Sequence, residues 1–214
     1  SRNGLVFVMT LVASLITACS LPGSPKGTPK QVFVLQGEQA AWTAGVVSRP
    51  CLSLRVSRPE SAPGFNTVRM AYRTEPNRMD YFAYHEWVAT PARMMASLME
   101  ARLDASGMFG AIVAGSSDIR TDMRLDSELL TLQQEFSEET SAVSLAVKIS
   151  LIDVSGPSLI GSRTFSYRVS AEERNAEAGV VAANQAAEQL LDDMAEFIST
   201  NLSPIECPRQ DSND

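Results

Sequence analysis

Residues 142–153 read AVSLAVKISLID. In an extended chain successive side chains point to opposite faces. Val143, Leu145, Val147, Ile149 and Leu151 therefore share one side, and Ala142, Ser144, Ala146, Lys148 and Ser150 share the other. That strict alternation predicts an antiparallel strand with one buried and one wetted face. Gly156-Pro157 turns the chain, and LIGSRTFSYRVS (159–170) returns beside it with Phe165, Tyr167 and Val169 inward. Working back, LLTLQQEF (129–136) and GAIVAG (110–115) read as strands, as do VFVLQ (32–36), CLSLRVS (51–57) and NTVRMAYR (66–73). In the last of these Val68, Met70 and Tyr72 fall on one face.

Two segments carry the helical period instead. Thr90-Pro91 reads as an N-cap followed by proline at the first helical position. Met95, Leu98, Met99 and Leu103 follow at helical spacing, and Gly107 supplies the stop. A second helix is expected over 176–202, with Val180, Ala183, Ala187, Leu190, Leu191, Met194, Phe197 and Ile198 in one stripe; its alanine-rich first half suits a close approach to a sheet, and Pro204 ends it. The element order is β-β-β-α-β-β-β-β-α. The fold class is α+β, with two helices packed on a largely antiparallel sheet.

Between the third strand and the first helix, residues 74–90 (TEPNRMDYFAYHEWVAT) read as an aromatic-rich connector. Tyr72, Tyr81, Phe82, Tyr84 and Trp87 crowd this region. One reading is a small aromatic core that fastens the connector to the helix, with Tyr72 and Trp87 as its structural members. The other is a partner surface or lipid groove, for which Tyr81 and Tyr84 are the contact residues, since tyrosine suits half-wet interfaces.

Hydrolytic machinery is not recognisable. His85 is the single histidine, and no GxSxG, HExxH or phosphate-binding glycine loop occurs. Asp192-Asp193 and Glu138-Glu139 are neighbouring carboxylates, and neighbours on a helix point apart. A site made of carboxylates alone stays open. No cofactor and no metal are expected, and no catalytic residue is assigned. The formal net charge is −7, with 25 acidic against 18 basic side chains and no basic cluster in the sequence, which argues against a nucleic-acid partner.

The amino-terminal stretch has its own logic. Arg2 precedes an apolar run over 4–18, which is shorter than the roughly 20 residues a permanent span requires. That order is a secretory signal peptide, 1–18. Leu15-Ile16-Thr17-Ala18-Cys19 puts small residues just before a cysteine and resembles the lipobox of bacterial lipoproteins. The resemblance implies lipidation of Cys19 by acyl chains such as palmitate, with cleavage just before it; the alternative is an ordinary signal peptide with a chance cysteine. Stable anchoring takes more than one acyl chain. Ser20, not Asp, follows Cys19, which implies delivery to the outer membrane, periplasmic face, with the inner membrane as the alternative.

Residues 20–31 (SLPGSPKGTPKQ) are a proline- and glycine-rich tether, so 19–31 is an acylated leash that reaches roughly 40 Å when extended. The folded domain is expected over 32–203, with a tail over 204–214. With Cys19 spent on the anchor, Cys51 and Cys207 remain. An even pair in an exported chain implies a disulfide, two free thiols being the other arrangement.

Tyr72, the run Tyr81-Phe82, Trp87, Pro91 and the helix end Ser106-Gly107-Met108-Phe109 occur in the order that marks the ABC-type transport auxiliary lipoproteins, the PqiC-like family. This chain resembles that family over about 32–202. The resemblance implies a non-enzymatic lipoprotein, anchored in the membrane through its acyl chains. It would work beside an ABC transporter that carries an MCE-domain periplasmic subunit and moves phospholipid or another lipid between inner and outer membranes. It also implies a homo-oligomer, because the MCE partner is a symmetric ring. Two other functions fit the same chain: an activator or assembly factor for envelope enzymes such as peptidoglycan synthases, and a hydrolase with an unrecognised site.

Overall fold

A computed structural model describes residues 28–37, 47–115, 117–202, 205 and 207. Cys19 and the signal segment lie outside the described residues. The elements run β1 (Gln31–Phe33), β2 (Arg49–Val56), β3 (Glu60–Ser61), β4 (Arg69–Glu75), β5 (Arg78–Trp87), α1 (Pro91–Ser106), β6 (Phe109–Ala114), β7 (Met123–Phe136), β8 (Ser141–Asp153), β9 (Ser158–Ala171) and α2 (Ala176–Leu202). The strands form one nine-stranded mixed sheet, and both helices pack on one face of it. The α+β class and the positions of both helices agree with the periodicity of the sequence.

The 14-residue β7 is the spine. On one side it pairs antiparallel with β8 along nearly its whole length, and β8 pairs antiparallel with β9. On the other side it takes three short parallel partners in succession: β2 at residues 123–125, β3 at 128–129 and β4 at 133–135. β6 extends the β2 end, while β5 and then β1 extend the β4 end. The long ladders are antiparallel and the lateral joins to the spine are parallel.

The inward residues of β8, Val143 to Leu151, are all buried against the helical layer. Ala182, Ala183, Ala186 and Ala187 of α2 are buried too, so the helix backbone lies close to the strands. At Gly179 the approach leaves no room for a side chain: a Cβ there would sit 2.6 Å from Gln134 Cδ. Gln134 is itself buried and donates from Nε2 to Ser141 Oγ (2.7 Å) and to the Asn175 carbonyl (2.9 Å). Asn175 caps α2, its Oδ1 accepting the Ala178 N–H at 2.8 Å. Thr90 holds the N-cap position of α1 without a side-chain cap bond, and Gly107 ends α1 in the left-handed conformation that glycine adopts at least cost (φ 64°).

The two helices are joined by a charged contact. The Arg102 side chain, only 4 % exposed, donates to Glu188 Oε1 (2.6 Å) and to Asp192. Asp193 instead accepts the Tyr167 hydroxyl at 2.7 Å, so the neighbouring aspartates serve different partners. On the opposite, polar face of the sheet, Glu135 draws together Arg73 (2.6 Å), Ser144 (2.8 Å) and Arg168 (3.2 Å).

Four features differ from the sequence reading. Residues 74–90 are not a connector: they hold β5, which forms a hairpin with β4 across Pro76-Asn77. β7 begins at Met123, six residues before the expected start, and a bulge between Leu129 and Thr131 shifts its phase. β1 is shorter than expected and ends at Phe33. Of the face assigned to the third strand, Met70 is buried and Tyr72 half-buried, but Val68 precedes the strand and is exposed.

Candidate functional site: the β1–β5 edge

β1 is the first ordered strand after the expected tether, and it forms one edge of the sheet. It pairs parallel with β5, Gln31, Val32 and Phe33 opposite His85, Glu86 and Trp87. Lys30 reaches Glu86 (2.7 Å), and the Val88 N–H donates to the Phe33 carbonyl (2.7 Å), so the entering chain is clamped at both ends of this short ladder. Beyond it Leu35 is buried, and the Gln36 N–H donates to Asn184 Oδ1 on α2 (3.0 Å).

The aromatic side chains of the hairpin divide by face. Trp87 is 5 % exposed and belongs to the core. Tyr72, Phe82 and Phe136 make a cluster with ring centroids 4.8–6.2 Å apart, and His85 joins it edge-on to Phe82 and stacked on Phe33. His85 Nε2 also lies 3.6 Å from Glu177 Oε1 at the start of α2. The structure therefore places this histidine in an aromatic cluster, with the Glu177 carboxylate beside it.

Tyr81 and Tyr84 have different surroundings. The Tyr81 hydroxyl donates to the Gly64 carbonyl (2.8 Å), and the Arg69 guanidinium lies 3.8 Å above its ring. Tyr84 is 49 % exposed. Around it the edge displays Val32 (55 % exposed), Val34 and Val88 (59 %), an apolar rim on a strand with one unpaired side. Edge strands of this kind can add a strand or an apolar surface from another molecule.

Cys51 of β2 and Cys207, beyond α2, are joined, with Cα atoms 5.8 Å apart. Arg49 Nε donates to the Ile205 carbonyl and so holds the tail there, while the Val47 N–H donates to Ser199 Oγ (3.0 Å) and ties the approach to β2 to α2.

A cleft of about 810 Å³ lies between the outer face of α1 and the β2–β3 segment and is lined by Arg58, Glu60, Arg93 and Glu100 among others. Burial raises the Glu100 carboxyl above its usual range. Ser97 in this cleft spends its hydroxyl on the Arg93 carbonyl (3.5 Å), and His85 is not among the lining residues. Among the described residues no group of three or more His, Cys, Asp or Glu is placed to hold a metal, and no helix is long and apolar enough to cross a membrane.

The family model of the ABC-type transport auxiliary lipoprotein component matches residues 33–195, from β1 into α2. The chain belongs to that family. Among solved structures, protein XCC0632 from Xanthomonas campestris is 17 % identical, with 80 % of this chain and 95 % of that one superposed at a TM-score of 0.69. The hypothetical protein CT253 from Chlamydia trachomatis is 8 % identical over 72 % of this chain and 98 % of that one, at a TM-score of 0.50. At such identities the likeness shows the fold. No curated protein matches this chain. The family makes the protein an auxiliary lipoprotein of an ABC-type transport system in the cell envelope. The hairpin that carries Tyr72, Tyr81 and Trp87 lies wholly within the matched residues.

Proposed function

We propose that this auxiliary lipoprotein is a non-enzymatic docking subunit of an MCE-type lipid transport system. In this reading it is anchored through acylated Cys19 on the periplasmic face of the outer membrane and assembled as a homo-oligomer. The observation that carries the docking role is the β1–β5 edge. The tether leads straight into β1, and the same edge displays Val32, Val34, Tyr84 and Val88 beside an unpaired strand side. A leash of roughly 40 Å cannot carry the domain far from its membrane, so the partner comes to it. Tyr81 is partly buried, its hydroxyl held by the Gly64 carbonyl, while Tyr84 and Val88 make the contact.

Capture of a purified MCE-domain subunit tests the proposal. Tyr84→Ser combined with Val88→Ser should weaken capture while the melting temperature stays near that of the parent chain, because both side chains are exposed. Normal capture by the folded double variant would remove the edge from the mechanism. Failure of the parent chain to capture any MCE subunit, with capture of a cell-wall synthase instead, would replace the transport role by the activator role.

A further inference from the structure

On the sheet face away from the helices, a cleft of about 500 Å³ is lined by Arg55, Arg120, Thr121, Arg124, Val154 and Ser155. No carboxylate lines it, although the chain as a whole is acidic. The register of the sheet builds it. Arg55 of β2 and Arg124 of β7 are direct partners across a parallel ladder. Their neighbours Leu54, Val56, Met123 and Leu125 are buried on the helix side, so both arginines project to the other face. Adjacent strands lie about 4.8 Å apart, which sets two like charges side by side. The β6–β7 loop adds Arg120 and Thr121, and the β8–β9 turn closes the far wall with Val154 and Ser155.

Two carboxylates close in sequence to the cleft, Asp122 and Asp153, are engaged elsewhere. Asp122 accepts from the Ser53 N–H (2.8 Å) and Oγ (2.7 Å). Asp153 accepts from the amides of Ser155 and Gly156 in the turn. Among the described residues only Asp126 meets a cleft arginine, and a single oxygen of it takes both Nε and Nη2 of Arg124 (3.1 and 3.0 Å). Arg55 is aimed by the bond from its Nη2 to the Ile119 carbonyl, yet its Nε is buried with no hydrogen-bond partner among the described residues. A buried donor left unmet is unusual in a folded chain. Three guanidinium groups and two hydroxyls line one cleft, and the donors that Arg55 and Arg124 have not spent on Ile119 and Asp126 are of the kind that a phosphate group accepts from.

We propose that this cleft binds a phosphate group, either as free phosphate or as the phosphodiester of a lipid headgroup. The site stands independently of the β1–β5 edge. Calorimetry on the full chain with inorganic phosphate, and with monomeric short-chain phosphatidylglycerol against phosphatidylcholine, tests it. Saturable binding at one site per chain is expected. Arg120→Gln, on an exposed loop, should weaken it about tenfold, the worth of one charge-assisted bond. Arg55→Gln should weaken it at least as much. Phosphate bound as well as either lipid identifies the free ion as the source, whereas a preference for phosphatidylglycerol identifies the headgroup. No saturable binding of any of the three probes, or binding unchanged in Arg120→Gln, overturns the proposal. If Arg55→Gln fails to fold, Arg120→Gln decides alone.

Discussion

Gly179→Ala is the substitution with the most clearly defined opposition of effects. Alanine in place of glycine favours a helix by at most about 1 kcal/mol. Against this, the new methyl would lie 2.6 Å from Gln134 Cδ, so the buried amide must leave. Its bonds to Ser141 and to the Asn175 carbonyl go with it, at about 1 kcal/mol each, and the repacking adds to the loss. The expected net effect is a destabilisation of about 1–3 kcal/mol. With Gln134→Ala already present the obstruction is gone, and Gly179→Ala should become neutral or stabilising by up to about 1 kcal/mol. Equilibrium urea unfolding of the four chains, followed by tryptophan fluorescence, gives the coupling energy, expected at about 2 kcal/mol. Equal destabilisation in both backgrounds would show that Gln134 is not what opposes the methyl. A single variant as stable as the parent would show that the amide yields freely, and that α2 is not held at this distance by Gly179.

Trp87→Ala should cost about 3–5 kcal/mol in the same assay, because the ring is buried beneath the β1–β5 ladder; a loss below about 1 kcal/mol would refute its structural role. Replacing Cys51 and Cys207 by serine frees a loop of 156 residues, and the chain-entropy argument gives a destabilisation of about 4–5 kcal/mol; finding both thiols alkylatable in unreduced, denatured protein would remove the bridge instead. Burial pushes the Glu135 carboxyl up, but hydrogen bonds from Ser144 and Arg168 and the charge of Arg73 outweigh it and hold the carboxyl below its usual range. Its contribution is therefore complete above the unfolded carboxylate value and is lost as pH falls through the lower folded value. Glu135→Gln should flatten the acid limb of the stability profile, and an unchanged limb would sink that assignment. Cys19→Ala should leave an unlipidated chain that either stays uncleaved at the inner membrane or is released; fractionation identical to the parent would rule out the anchor.

What was legible in the sequence is what repeats at one period without interruption. β8 alternates along its whole length, and α2 keeps its stripe from Val180 to Ile198, so both elements follow from side-chain spacing alone. β7 is harder because the bulge after Leu129 changes which residues face inward: Met123, Leu125, Ser127 and Leu129 before it, Leu132 and Gln134 after it. Ser127 and Gln134 put polar side chains in the inward series, and only the second half of the strand stands out. β5 is hidden for another reason. Tyr81 and Phe82 place aromatic rings on both faces, one under Arg69 and one in the cluster with Tyr72, so no alternation of polarity remains. The aromatic excess was visible, but its division into core and rim depends on Gly64, a distant acceptor. The arginine cleft could not be read at all, since Arg55 and Arg124 become neighbours only through the β2–β7 register.

The position of β7 also governs the order in which the molecule can be completed. A chain is made from its amino terminus, yet β2, β3 and β4 all dock on a strand that begins at Met123. Residues 123–202, by contrast, contain the β7–β8–β9 meander and α2 and can close on themselves through contacts near in sequence. The carboxy-terminal half is thus the template, and the earlier half waits for it with several strand edges open. During synthesis and export that interval is the time of greatest exposure to aggregation. A truncation after α1 should accordingly yield a chain that holders of unfolded proteins retain, whereas the segment from Met123 onward is the part with the means to begin folding alone.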